Sequence, residues 1–388
     1  HFIDAVVEIE RKSASIAFPL HGCLYYTANL PAKYRSEQLS PIPGDTANKF
    51  CLGPVVESRL WLHKRAQMDL PRGPWSTLTD YATNIGTSEM LWTKRYAKPR
   101  MNYFRSDVDP ETPEEYIELI EKYLQVASLL MPPRCHKREL LQPTLWHDDL
   151  HLNNIYVNLE TETITDIIDW QGVKVAPMIL QARIPRMIKH ISLLPLGAVM
   201  PQRPADYDTM SEEAKKREDE LLDSAKRNKY YEKQTALRNP RHYAAIVHND
   251  SWEIPFIEPT VTLMSAWSQR KVFQFRGTLM DVVDHWGDLE TGVDECPISF
   301  ADEERELHNG EMASRNYIEA LLVQYQQAGL LPAKGIVDPE DYEAAQVVNQ
   351  QLKEKFLSVA DSEEEKAWSE RIWPWQELSE GASYEYDV

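Results

Sequence analysis

One short stretch of the sequence constrains the fold more than any other. It runs WHDDLHLNN over residues 146–154 and is followed by IIDWQ over residues 167–171. The apolar run 155–157 predicts a strand, and a second strand over 164–168 is expected to pair back with it after a polar turn. Asp169 would then lie beside Asn154, at the end of a tight loop that also carries Asp149.

These three side chains match what phosphoryl transfer from ATP requires. A carboxylate must orient the acceptor hydroxyl, and two oxygen ligands must hold Mg²⁺ on the phosphates. We predict that Asp149 is the catalytic carboxylate and that Asn154 and Asp169 bind the metal. Mg²⁺ takes few protein oxygens and completes its shell with water and phosphate, so a lone Asn and a lone Asp suffice.

Two histidines flank this site in a supporting position. His147 is expected to hold the loop by packing and hydrogen bonding, because the general base in this arrangement is an aspartate. His151 either bridges the loop to Asp169 or fills space. We assign neither a catalytic role.

A metallohydrolase is the alternative chemistry for the same residues. His147, Asp148, Asp149 and His151 are all possible transition-metal ligands at close spacing. The other histidines are scattered, however, and the chain contains no H-E-x-x-H helix. The phosphotransfer interpretation is therefore favoured.

The motif residues also resemble a known family. The loop resembles the H-G-D-L-H-x-x-N pattern of aminoglycoside phosphotransferases and choline-kinase-like enzymes, and IIDW resembles their metal-binding segment. Asp148 stands where a small residue is usual. Trp170-Gln171 replace the Phe-Gly of protein kinases. The resemblance implies a protein-kinase-like fold, ATP and Mg²⁺ as cofactors, and a small-molecule hydroxyl acceptor.

Within that family the chain resembles the fungal branch called altered inheritance of mitochondria proteins. This resemblance implies a mitochondrial localisation and no established substrate. It leaves open a catalytically silent, kinase-like scaffold in mitochondrial maintenance as the alternative function. The segments that carry it are 50–54 (FCLGP), 72–75 (RGPW), 144–147 (TLWH), 168–171 (IDWQ) and 181–185 (QARIP).

A kinase of this family also needs an N-terminal lobe with a phosphate-covering loop and a strand lysine. This chain starts with His1, has no G-x-G, and opens with helical periodicity over 2–17. Lys12 is expected on a solvated helix face with Glu10 and its other neighbours. We therefore expect an α+β, protein-kinase-like fold that is mostly the helical C-terminal lobe, with impaired phosphotransfer as this N-terminally incomplete chain.

The composition limits which classes of binding partner are expected. The net charge of −19 argues against a nucleic-acid partner, and the longest apolar run, 191–200, is shorter than the roughly 18 residues of a membrane span. Four scattered cysteines suggest neither a zinc site nor disulfides. The expected partners are the nucleotide and an unidentified small-molecule acceptor.

Three regions and a set of helices complete the prediction. Residues 1–102 would begin the C-terminal lobe and hold a Pro- and Trp-rich insertion, 103–200 would form the catalytic core, and 201–388 a helical subdomain with an acidic tail. Thr112 and Glu115 predict a capping box. Helices are expected over 2–17, 77–96, 112–130, 211–238, 259–275, 311–328 and 339–360.

Overall fold

In the computed structural model, most of the described residues are helical, and short strands form antiparallel pairs between the helices. The described residues are 2–36, 49–102, 104–105, 109–130, 138–147, 149–192, 194–197, 199–250, 258–289, 291–327 and 339–373. The strands are β1 (Cys23–Tyr26), β2 (Phe50–Gly53), β3 (Pro143–Trp146), β4 (Ile155–Asn158), β5 (Thr163–Ile167) and β6 (Lys174–Pro177). The mixture of helix and sheet expected from the sequence is confirmed, and the absence of an N-terminal lobe stays a prediction.

The helices vary from a single turn to more than seven turns. They are α1 (Phe2–Ala14), α2 (Ser58–Trp61), α3 (Leu78–Tyr96), α4 (Pro113–Leu130), α5 (Arg138–Leu141), α6 (Met178–Gln181), α7 (Glu212–Arg238), α8 (Pro240–Asp250), α9 (Glu258–Ala266), α10 (Val272–Asp284), α11 (Asp302–Gln327), α12 (Tyr342–Leu357) and α13 (Glu363–Ile372). No helix in the described part of the chain is long and apolar enough to cross a membrane.

The strands form antiparallel pairs. β1 pairs with β2, β3 with β6, and β4 with β5. A single bridge between Gly22 and Val175 joins the residue before β1 to β6. A Cβ atom on Gly22 would lie 2.4 Å from the carbonyl oxygen of Gly53, so only glycine permits this close backbone approach.

Local capping explains where several helices begin. Ser211 caps α7 by accepting a hydrogen bond from the Ala214 amide at 3.3 Å. At α4 the Thr112 hydroxyl accepts from the Glu115 amide at 3.4 Å, but the Glu115 carboxylate pairs with Arg105 at 2.5 Å. The predicted capping box is therefore half formed. The bond from the Glu115 amide to Thr112 is present, whereas the Glu115 carboxylate pairs with Arg105 and not with the Thr112 amide.

The single helix predicted over 259–275 is wrong. α9 ends at Ala266, and the Lys271 amide donates back to the Ala266 carbonyl at 2.7 Å while Arg270 has a φ of +56°. This is a Schellman-type helix end in which arginine occupies the left-handed position that glycine usually takes. Because no glycine marks this end, the sequence pattern did not show it.

The chain divides into two compact units. Unit 1 comprises His1–Ser88, Val126–Thr260 and His285–Glu295, and unit 2 comprises Glu89–Gln125, Val261–Asp284 and Cys296–Val388. All the strands above and all three predicted site residues lie in unit 1. In unit 2, α11, α12 and α13 enclose a cluster that includes Phe356 and Trp373. The three predicted regions divide the chain differently, and their boundaries stay a prediction.

A buried polar network lies in the core of unit 1 where α1, α7 and α8 meet. The Glu10 carboxylate accepts from the Tyr231 hydroxyl at 2.7 Å and lies 3.7 Å from the His242 Nδ1. The His242 ring packs edge-on against Trp146, with 4.4 Å between ring centroids. Glu10 is only 6% exposed, so the prediction that it lies on a solvated helix face is wrong.

Burial shifts both titrating groups of this network toward their neutral forms. It raises the pKa of Glu10 to about 8, because the hydrogen bond from Tyr231 only partly offsets the lost hydration. It lowers the pKa of His242 to about 3. Glu10 thus favours the folded state at low pH, whereas His242 favours it at high pH.

Stability is therefore expected to fall as the pH rises from 6.5 to 8. Between pH 4.5 and 6.5 the two contributions oppose each other, since the folded state binds the extra proton on Glu10 and the unfolded state binds it on histidine. Of these two groups, only Glu10 contributes above pH 6.5, and its contribution lowers the free energy of unfolding by about 2 kcal/mol between pH 6.5 and 8. Urea unfolding at several pH values measures this slope.

Glu10→Gln is expected to flatten the slope, because it removes the proton that the folded state retains. Glu8→Gln is the matched control on the same helix, since the Glu8 side chain is 38% exposed and pairs with Arg11 at 2.7 Å. A slope unchanged by Glu10→Gln would assign the pH dependence to other groups.

Candidate active site

The hairpin β4–β5 joins the two predicted metal ligands through the main chain. Ile155 pairs with Ile167, and the Ile168 amide donates to the Asn154 carbonyl at 2.9 Å. Asp169 follows directly. The predicted hairpin is confirmed, and it brings the end of the 147–154 loop, which we call the catalytic loop, to the start of the Asp169 turn.

The five-residue spacing between Asp149 and Asn154 closes the catalytic loop on itself. Asn154 is buried, its Nδ2 donates to the Asp149 carbonyl at 3.1 Å, and its amide donates to the His151 carbonyl at 3.0 Å. The amide nitrogen of the side chain is thus used within the loop. This arrangement leaves Oδ1, the atom that would bind a metal, available for another partner.

His147 connects the catalytic loop to Ile168, the residue that follows β5. Its Nε2 lies 3.0 Å from the Ile168 carbonyl oxygen, so Nε2 must carry the proton, and its ring packs edge-on against Trp170. Its Nδ1 is buried without a hydrogen-bond partner. The supporting role of His147 stays a prediction.

His151 faces Asp149. Its Nδ1 accepts from the Asn153 amide at 3.3 Å, and its Nε2 lies 3.8 Å from a carboxylate oxygen of Asp149. Because Nδ1 is an acceptor, Nε2 carries the proton and presents it toward the carboxylate. The sequence predicted that His151 either bridges the loop to Asp169 or fills space. The contact with Asp149 is neither of these.

The backbone of the Asp169 turn adopts a left-handed conformation. Asp169 has a φ of +63°, a left-handed conformation that Asp and Asn tolerate better than other side chains. The Trp170 indole nitrogen donates to the Ile167 carbonyl at 2.7 Å and closes the turn. Asp169 is exposed, and the Asp149 side chain is 66% exposed, so both carboxylates face solvent.

Exposed apolar side chains lie on one face of the hairpin. Residues opposite one another in an antiparallel pair point to the same side, so Tyr156 and Asp166 share a face, and Ile168 follows on that face two residues later. Tyr156 is 56% exposed and Ile168 is 42% exposed. Ile155 and Ile167, on the other face, pack into the unit 1 core.

Contacts between residues distant in sequence hold the segment that follows the Asp169 turn. Lys174 pairs with Glu57 at 2.5 Å, and the Cys23 thiol contacts the Val173 carbonyl at 3.4 Å. The Gln181 amide donates to the carbonyls of Thr144 and Ala176 at 2.6 and 2.9 Å. Nothing in the local sequence around these residues predicts that they contact one another.

The donor set fits Mg²⁺ better than a transition metal. Asn154 and Asp169 offer neutral and anionic oxygens, which Mg²⁺ prefers, while nucleotide phosphates would supply the rest of its shell. Among the described residues, no group of three or more His, Cys, Asp or Glu side chains is arranged to hold a metal ion. Asp148, one of the ligands considered for a metallohydrolase, lies outside the described residues.

Comparisons with known proteins match the segment that carries the predicted site residues. Residues 77–180 match the family model described as phosphotransferase enzyme family. A subtelomeric hrmA-associated cluster protein of Aspergillus fumigatus is 27% identical over 97% of this chain and 77% of its own length. Altered inheritance of mitochondria protein 9, mitochondrial, of Saccharomyces cerevisiae is 28% identical over 63% of this chain.

The chain spans 41% of the length of that yeast protein. No solved structure matches the chain. Asp149, Asn154 and Asp169 all fall within the matched segment, which in this family implies a protein-kinase-like fold. The resemblance to the phosphotransferase enzyme family, and to its altered inheritance of mitochondria branch in fungi, is therefore confirmed.

Proposed function

We propose that this protein is a small-molecule kinase that transfers the γ-phosphoryl group of ATP to a hydroxyl. The observation that carries the proposal is the hydrogen bond between the Asn154 and Ile168 main chains, because it sets the catalytic loop beside the Asp169 turn. Asp149 would orient the acceptor hydroxyl and accept its proton. Asn154 and Asp169 would hold Mg²⁺, which neutralises charge on the phosphates.

The surroundings of the site support this assignment. The exposed Tyr156 and Ile168 provide apolar surface beside the predicted metal ligands, which suits a flat nucleotide base better than a second metal. Trp170 is closed against Ile167 and His147, so the turn after Asp169 is braced rather than free to switch. A braced turn fits an enzyme that acts on small molecules.

The proposal is tested with the full-length gene product, Mg·ATP and a panel of small hydroxyl compounds. ADP formation that depends on both Mg²⁺ and one acceptor class is expected. Saturable Mg·ATP binding without ADP formation for any acceptor would instead favour the catalytically silent scaffold. Absence of Mg·ATP binding would reject the nucleotide role altogether.

We also propose a mitochondrial localisation. The support is the similarity to the yeast protein, whose name includes the word mitochondrial. Fractionation of cells that express the full-length gene product is the test, and recovery outside the mitochondrial fraction would contradict it.

A further inference from the structure

An irregular segment after α6 packs into the same core as the catalytic loop. We call the segment 183–192 and 194–197 the strap. Ile184, Met187 and Leu196 of the strap pack against the buried cluster that contains Leu150, the residue that follows Asp149. The strap therefore shares one hydrophobic cluster with Leu150, the buried residue that forms the floor of the catalytic loop.

A buried ion pair on α7 holds the strap at its far end. Lys229 and Glu232 lie 2.5 Å apart, and each side chain is 5% exposed. The Lys229 ammonium donates to the Pro195 carbonyl at 2.9 Å, and a Glu232 carboxylate oxygen accepts from the Gly197 amide at 2.6 Å. These two hydrogen bonds fix the backbone on both sides of Leu196.

The backbone at Gly197 is shaped for this contact. Gly197 has a φ of +96°, a conformation that side-chain-bearing residues rarely adopt. A Cβ atom there would meet no atom within 4 Å, so backbone conformation and not lack of space requires glycine. The strap is thus built to present the Gly197 amide to Glu232.

Stability alone does not explain a buried ion pair. Removing two charges from water is costly, and apolar residues of the same volume are often equally stabilising. What the pair adds is directional hydrogen bonding to two backbone groups of the strap. We propose that Lys229 and Glu232 are positioning residues of the phosphotransfer site, which act through the strap and Leu196 on the floor of the catalytic loop. This inference rests on the proposed function.

The test is a double variant, Lys229→Met with Glu232→Met, which removes both charges together and leaves neither buried alone. Its matched control on the same helix is Lys226→Met with Asp223→Met, because that pair is also three residues apart but lies 4.0 Å apart and exposed. Hydrogen exchange followed by mass spectrometry should show at least about tenfold faster exchange in the strap and in residues 149–154. The control variant should exchange like the unmodified chain.

Faster exchange confined to the strap would overturn the proposal, because the pair would then act only locally. If the double variant does not fold, Gly197→Ala displaces the strap through backbone strain and weakens its bond to Glu232 while both charged side chains stay in place, and the same outcomes apply. In the full-length gene product, kcat should fall at least about tenfold while the KM for Mg·ATP changes much less. An equal loss in kcat and rise in KM would contradict positioning.

The failure of the proposed function would be recognised separately. In that case the unmodified gene product would show no Mg·ATP turnover at all. The exchange measurement on the catalytic loop would still decide whether Lys229 and Glu232 position it.

Discussion

Replacing Asp149 with Asn is expected to lower phosphotransfer by about 10²-fold or more while Mg·ATP binding persists. The substitution removes the carboxylate that orients the acceptor hydroxyl, but it leaves Asn154 and Asp169 in place. The Asp149 carbonyl, which accepts from the Asn154 side chain, is a main-chain group and is retained. The loop should therefore keep its shape.

Steady-state kinetics and a binding titration on the full-length gene product separate the two effects. Glu160→Gln is the matched control, since Glu160 is an exposed carboxylate in the turn of the same hairpin, away from Tyr156 and Ile168. It should keep nearly full activity. Undiminished turnover in the Asp149 variant would remove that residue from the role of base.

The catalytic hairpin could be predicted because its signals are local. An apolar run, a polar turn and a second apolar run fall within fourteen residues, and β4 and β5 formed as expected apart from a register shift at Tyr156. The start of α7 could also be predicted from the sequence, because Ser211 caps the helix by accepting a hydrogen bond from Ala214, three residues away. Such features depend little on the rest of the chain.

The supports of the site could not be predicted, because their partners are far apart in sequence. Glu57 and Lys174 are 117 residues apart, and Glu10 and Tyr231 are 221 residues apart. Glu10 stands in a charged stretch of α1 and was expected in solvent. The packing of α7 and α8 against α1 buries it, which no periodicity within α1 reveals.

The strongest test of the metal site is Asp169→Asn, which should abolish most of the stabilisation by Mg·ATP. With ligand at about 100 times its Kd, binding stabilises the folded protein by about 2.7 kcal/mol. If the lost charge weakens binding about 100-fold, only about 0.4 kcal/mol remains. Thermal unfolding of the full-length gene product with and without Mg·ATP measures this difference.

Asn is the informative substitution because of the backbone at this position. Asp169 has a φ of +63°, which Asn tolerates nearly as well, so a loss of Mg·ATP stabilisation reports the missing charge and not a strained turn. Glu160→Gln again serves as the control for removing one carboxylate from the hairpin. A thermal shift as large in the Asp169 variant as in the unmodified protein would exclude Asp169 from the metal site. The turn closed by Trp170 would then be structural, and Asn154 would be left without the second oxygen ligand that phosphoryl transfer requires.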